Sequence, residues 1–264
     1  MPKIFLKSPE EISRMAEAGE ILGNIMSQIL EKIEPGISTL EIDSWVEDRI
    51  INAGGEAAFK KVPRYHWATC TGINDEVVHS IPREDKILKE GDLLKIDMGM
   101  WWRGFNTDMS WTAVVQKSEV KNQKSKFLET GEKALEEAIK VARPGNRIGH
   151  ISKTIQETVE TAGYHPVRIL TGHGIGRKLH EEPMIPGILT KSIEKTPEIV
   201  PGMTLAIEVI YNLGEGEVVL AEDGWTILTK DGKISGLFEK TIAITENGPL
   251  VLTPLRFSKK GLKN

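Results

Sequence analysis

Two stretches in different halves of the chain, GDLLKID ending at Asp97 and GMTLAIE ending at Glu208, each start with glycine, alternate apolar with small or polar residues, and finish on a carboxylate. Their spacing is the same, since 202 − 91 and 208 − 97 both equal 111. Two further acids, Asp108 and Glu239, lie on strand-like runs. Side chains of an extended chain alternate between faces, so Leu94, Ile96, Met98 and Met100 oppose Asp97, and Leu205, Ile207, Val209 and Tyr211 oppose Glu208. By the same parity Asp108 shares its face with Asn106, Ser110 and Thr112, while Phe238, Ile242 and Ile244 oppose Glu239. A tight hairpin about Trp102-Arg103, with Gly104 in the turn, predicts Asp97 and Asp108 roughly opposite one another, with Cβ atoms about 5 Å apart. Like charges so placed repel unless a cation lies between them.

The histidines extend the pattern. TGHGIGRKLHEEP carries His173 and His180, and the first half has a counterpart, TGINDEVVHSIP, with His79. A single acid on a polar strand face is usually only solvated; acids on four such faces together with matched imidazoles describe a cleft. Carboxylates with imidazole suit manganese, iron(II), cobalt or zinc. Two such ions polarise a carbonyl and make water acidic enough to attack it near neutral pH. Other chemistries lack their motifs: there is no His-Glu-x-x-His, Gly-x-Ser-x-Gly, Walker-A loop or Cys-x-x-Cys, and GHGIGR has the wrong spacing for a dinucleotide fingerprint.

The elements that must hold these residues are also repeated. EPGISTLEIDSWVEDRIINAGG from Glu34 matches RPGNRIGHISKTIQETVETAGY from Arg143, pairing Pro35 with Pro144 and Ala53-Gly54 with Ala162-Gly163. Ser8-Pro9-Glu10-Glu11 predicts a capped helix running to Pro35-Gly36, with an apolar stripe from Ile12 to Ile33. Ser38 with Glu41 opens a second helix ending near Gly54-Gly55, and helices at about 125–142 and 148–162 repeat the pair. Strands fill most of the rest, an α/β or α+β organisation. The chain has 264 residues, 39% hydrophobic, a net charge of −4 and a single cysteine. That composition supports a large core, offers no general attraction to nucleic acid or anionic membrane, and excludes an internal disulfide framework. No signal-like N-terminus and no apolar run near 18 residues are present, so a soluble cytoplasmic protein is expected. The basic tail from Arg256 is expected to be frayed, with a charge that would permit a weak RNA contact.

With INDEVVHSIP, KIDMGMWWRGFNTDMS, TGHGIGRKLHEEP, TLAIEVIY and FEKTIAIT in order, the chain resembles the methionine aminopeptidases of the short, bacterial type I class, from its first helix to about residue 253. The resemblance implies an α+β, duplicated pita-bread (creatinase/aminopeptidase) fold: an antiparallel sheet, helices outside, and a metal site on the inner polar face. It implies one catalytic domain over 1–264, with halves at about 8–120 and 121–253. It further implies that Asp97, Asp108, His173, Glu208 and Glu239 hold two divalent ions, Asp108 and Glu239 bridging. Glu208 would then be general base and proton shuttle in hydrolysis of the first peptide bond. His180 would stabilise the oxyanion and His79 the scissile amide nitrogen. The implied substrates are N-termini of nascent polypeptides with a small second residue; a monomer without DNA or membrane partners is expected, and a transient ribosome contact is left open.

Only 28 residues separate His180 from Glu208 (208 − 180), too few for the inserted subdomain of the type II class, and the chain starts near its first helix, without the zinc-finger extension of longer forms. In the family's methionine pocket Tyr65, Cys70 and Trp225 match, whereas Phe59 stands near a usual cysteine and Leu179 replaces a phenylalanine; Lys240 follows the last ligand where histidine is frequent. The alternatives are a pita-bread peptidase cleaving before proline and an inactive, peptide-binding relative.

Overall fold

The computed structural model of the protein describes residues 3–115 and 123–257. The boundary between halves expected near residue 120, and the basic tail beyond residue 257, lie outside the described residues.

Four helices form where the capping signals place them: α1 (Pro9–Leu30), α2 (Thr39–Asn52), α3 (Gln123–Val141) and α4 (Ile148–Thr161). Ser8 and Ser38 each accept from the backbone N–H of the glutamate three residues on, and Glu11 and Glu41 each accept from the serine N–H in return. The first helix stops at Leu30, five residues short of Pro35, so Ile33 is not part of its stripe. The N–H groups of Lys32 and Ile33 both fold back on the Ile29 carbonyl, a tightening that ends the helix before proline bars its continuation. The repeated Pro-Gly punctuation takes the same backbone form in both halves, with Gly36 at φ 101° and Gly145 at φ 87°.

The strands are β1 (Glu56–Ala57), β2 (Thr69–Ile73), β3 (Glu76–Val78), β4 (Leu93–Trp102), β5 (Phe105–Val114), β6 (His165–Pro166), β7 (Thr171–Gly174), β8 (Glu181–Pro186), β9 (Thr204–Asn212), β10 (Val218–Leu220), β11 (Ile227–Thr229), β12 (Ser235–Thr245) and β13 (Gly248–Val251). Ten form an antiparallel sheet in the order β1-β4-β5-β12-β9-β7-β8, with β2 on β4, β6 on β9 and β13 on β12; β10, β11 and β3 form a small second sheet.

The helices cover one face of the large sheet. Leu94, Ile96, Met98 and Met100 bury against α1 and α2, while Leu205, Ile207, Val209, Tyr211, Phe238, Ile242 and Ile244 bury against α3 and α4. Each fully buried aliphatic side chain of this kind contributes roughly 1.5–3 kcal/mol, so this parity holds the sheet the right way round and turns the acids to its other face. No helix among the described residues is long and apolar enough to cross a membrane.

The hairpin between β4 and β5 turns on two residues, Arg103 at φ 46° and Gly104 at φ 93°. This turn pairs Trp102 with Phe105, and therefore Asp97 with Ser110 and Asp108 with Gly99. The two aspartates are thus diagonal rather than opposite. A turn centred between Arg103 and Gly104 moves the register by two residues from the one their numbers suggest.

Candidate metal and peptide site

Residues directly opposite in an antiparallel pair project from the same face, and the register sorts the polar residues into two rows. The first runs Cys70, Asp97, Ser110, Glu239, Glu208 across β2, β4, β5, β12 and β9. In the second, Gly99 pairs with Asp108, Asp108 takes its partner from Thr241, Thr241 pairs with Ala206, and Ala206 pairs with His173. The Thr241 hydroxyl accepts from the Asp108 N–H at 2.9 Å and donates to its carbonyl at 2.7 Å. Thr112 does the same with Leu237, at 2.9 and 2.7 Å, so hydroxyls stitch the β5–β12 seam on both sides of its short register. Five adjacent strands, β4, β5, β12, β9 and β7, therefore deliver Asp97, Asp108, Glu239, Glu208 and His173 to one place.

Oxygen or nitrogen atoms of Asp108, His173 and Glu239 lie within 4.8 Å of one another, all three residues buried. Glu208 Oε1 is 3.5 Å from His173 Nε2. Ser110 Oγ stands between Asp97 Oδ1 at 3.0 Å and Glu239 Oε2 at 2.8 Å. Asp108 Oδ1 and Glu239 Oε1 are buried without any hydrogen-bond partner. An unpartnered buried carboxylate oxygen is costly, and one on each of two clustered acids is what a bound cation would satisfy.

The electrostatics agree. Burial pushes the Asp97 carboxyl up to about 7. Asp108 is raised well above the carboxylate range by burial and then by Glu239, Asp97 and Glu208. Burial followed by Glu239 and Asp97 raises Glu208, and burial followed by Asp97 raises Glu239. Burial, with His180 beside it, holds His173 down at about 4, so its imidazole is neutral. His173 Nδ1 lies 2.9 Å from the Gly174 carbonyl. Donating there leaves the Nε2 lone pair facing the carboxylates, the usual posture of a metal-binding imidazole. The oxygen-rich donor set fits a divalent cation.

A cavity of about 350 Å³ opens over these groups. Phe59, Tyr65, Cys70, His79, Leu179, His180 and Trp225, the residues expected to meet substrate, all line it beside the five ligand-type side chains. Tyr65 anchors one end: its ring meets Trp225 edge to face at 5.0 Å and Phe59 at 6.5 Å, and its hydroxyl donates to the Thr69 carbonyl at 2.8 Å and lies 3.2 Å from Cys70 Sγ. Phe59 packs where a Cβ on Gly99 would stand, 2.9 Å from its ring, so glycine in β4 admits the phenylalanine. The His180 ring lies 4.4 Å from that of His173. Partial desolvation lowers the pKa of His180, and desolvation followed by His180 lowers that of His79, although both residues remain exposed to solvent.

Several contributors were not singled out in the sequence. Val62, Ile169, Leu170, Thr171, Met184 and Ile210 also line the cavity. Lys95, buried on the same face as Asp97, donates to the carbonyls of Asn74 at 2.8 Å and Ser235 at 3.2 Å, and burial pulls its pKa to about 7. Lys7 and Glu181 form a buried ion pair at 2.5 Å, tying the N-terminal segment to the residue after His180. Parity alone placed Ser110 on the site face; nothing local marks the long-range partner of Lys7.

The sheet gathers carboxylates and imidazole on its inner face, and the model of metallopeptidase family M24 matches residues 13–246: the chain belongs to that family. The methionine aminopeptidase of Aquifex aeolicus is 38% identical over 258 residues, covering 96% of this chain and 99% of that protein. The crystal structure of the Thermotoga maritima methionine aminopeptidase has a TM-score of 0.91 at 38% identity, covering 96% of this chain and 100% of that one. The Pyrococcus furiosus prolidase shares the pita-bread fold at a TM-score of 0.74 and 25% identity, but only 66% of its chain is covered, against 95% of this one. Within the family, the chain groups with the methionine aminopeptidases rather than with the longer prolidase.

Proposed function

We propose that the protein removes the N-terminal methionine from polypeptides by metal-assisted hydrolysis of the first peptide bond, preferring a small second residue. The observation that carries this reading is the pair of orphaned oxygens, Asp108 Oδ1 and Glu239 Oε1, set in a cluster of five ligand-type side chains against an aromatic-walled cavity. Asp97, Asp108, His173, Glu208 and Glu239 would hold two divalent ions, manganese, iron(II), cobalt or zinc. When bound, such ions polarise a carbonyl and lower the pKa of water. Residues 1–264 act as one catalytic unit, with both halves, about 8–120 and 121–253, contributing ligands.

The chain's own residues do the rest. The methionine side chain enters the wall of Phe59, Tyr65, Cys70, Leu179 and Trp225, where burial of its apolar surface supplies affinity. Its free α-amino group is drawn toward Asp97, restricting cleavage to chain ends. Glu208, whose carboxyl is raised by burial and then by Glu239 and Asp97, takes the proton lost by water and delivers it to the departing amine. His180, its pKa lowered by partial desolvation, donates to the carbonyl oxygen as negative charge builds there, and His79 hydrogen-bonds the scissile nitrogen. Replacing phenylalanine by Leu179 keeps that wall apolar with less surface.

The test is release of free methionine from Met-Ala-Ser, with Leu-Ala-Ser as control, by protein stripped with chelator and titrated with each of the four metals. Metal-dependent cleavage of the methionine peptide alone is the expected result. Equal cleavage of both peptides would remove the methionine specificity, and no cleavage with any metal would overturn the enzymatic reading.

A further inference from the structure

The cavity has two unlike ends. Its aromatic end is closed: Phe59, Tyr65 and Cys70 are 6%, 4% and 7% exposed. At the other end Ile169 and Met184 also line the cavity, yet they are 71% and 43% exposed. Leu170 packs against the apolar cluster containing Ile210 beneath them, and the Thr171 hydroxyl lies 3.7 Å from Met184 Sδ, so the two exposed side chains stand on a supported rim rather than a free loop. The carboxylates, His79 and His180 line the same cavity as both ends.

That order constrains a peptide. A first residue held in the closed end places the scissile bond at the carboxylates, and the exposed rim at Ile169 and Met184 offers the rest of the chain a way out. The second residue still lies beside the histidines; the third is the first to reach the rim. We propose that Ile169 and Met184 form an apolar subsite for the third residue of the substrate, making cleavage sensitive to a position beyond the small second residue. This rests on the aminopeptidase reading above. Large apolar side chains left in water at the mouth of a cavity gain by being covered, and the substrate is the occupant that continuity with the cavity supplies.

The test compares Met-Ala-Leu-Gly, Met-Ala-Gly-Gly and Met-Ala-Asp-Gly on wild-type protein and on the Ile169→Ser/Met184→Ser double variant, both sites being exposed enough to accept serine. The wild type should favour leucine over glycine by about fivefold in kcat/KM, with aspartate lowest. The double variant should bring the leucine-to-glycine ratio near one. A wild-type rate independent of the third residue, or a ratio that survives both substitutions, overturns the subsite. Calorimetric binding of Met-Ala-Leu-Gly against Met-Ala-Gly-Gly to metal-free protein reads the rim without turnover. Tighter binding of the leucine peptide by wild type only would support the subsite even if no methionine peptide were cleaved, whereas equal binding would overturn it.

Discussion

In the first half of the sheet Asp97 and Asp108 occupy adjacent strands two residues out of register, whereas in the second half Glu208 and Glu239 face each other directly. The offset separates the short carboxylates into two rows, and the second-row aspartate joins His173. Had both halves paired alike, four acids would have stood in one line. The difference in register makes the acids a cluster that can surround something.

A second contrast lies next to it. His173 stands opposite Ala206, two residues before Glu208; the residue opposite Lys95, two before Asp97, is Gly72. One half therefore offers an imidazole where the other has no side chain and a buried ammonium alongside. A Cβ on Gly72 would fall 2.8 Å from Ser80 Oγ and 3.2 Å from Glu76 Cβ, so that space belongs to the segment leading to His79. Repetition builds the scaffold, and departures from repetition build the site.

The largest effect should come from the seam acids. Asp108→Ala and Glu239→Ala should each lower methionine release about a thousandfold, about 4 kcal/mol of barrier, together with loss of bound metal by elemental analysis; a loss confined to one half would break their equivalence. Next, Lys7→Met leaves Glu181 buried without its cation and should destabilise the fold by about 3–5 kcal/mol in denaturant titration. A cost no greater than that of a surface lysine would show that this pair does not hold the second-half loop. Smaller still, the paired glycines should differ. A Cβ on Gly172 meets the Ala206 carbonyl oxygen at 2.5 Å, whereas on Gly72 it meets a movable hydroxyl, so Gly172→Ala should cost about 3 kcal/mol and Gly72→Ala about 1.

A further effect concerns pH in the metal-free protein. Asp97 has a folded-state pKa of about 7, above its unfolded value of 3.8, so its contribution to stability is present in acid and lost as pH rises through about 7. Metal-free Asp97→Asn should accordingly be more stable than wild type at pH 8 by about 1–3 kcal/mol after allowance for screening, with the gap closing toward pH 4. A gap that widens in acid would reverse the sign and mark Asp97 as paired in the absence of metal.

Much of this was legible beforehand because alternation and capping are local. Parity put every site acid on the face away from the helices, and Ser8-Glu11 and Ser38-Glu41 marked two helix starts within a residue. What was not legible is long-range. Matching Thr71-Gly72 with Thr171-Gly172 sets Ile73 against His173, but strand pairing puts Gly72 in that place, and a one-residue slip exchanges the faces of a strand. The Asp97–Asp108 offset depended on which two residues made the turn. No local pattern could announce that β5 and β12, far apart in sequence, lie side by side.

That seam also sets a timetable. Ser110 meets Glu239 across 129 residues (239 − 110), and such distant pairings are reached only after the loop between them has been closed. A chain emerging during synthesis can complete its first hairpin early, yet it holds an acid pair with no opposite bank until the last long strand arrives. The catalytic centre is therefore among the final parts of the molecule to exist.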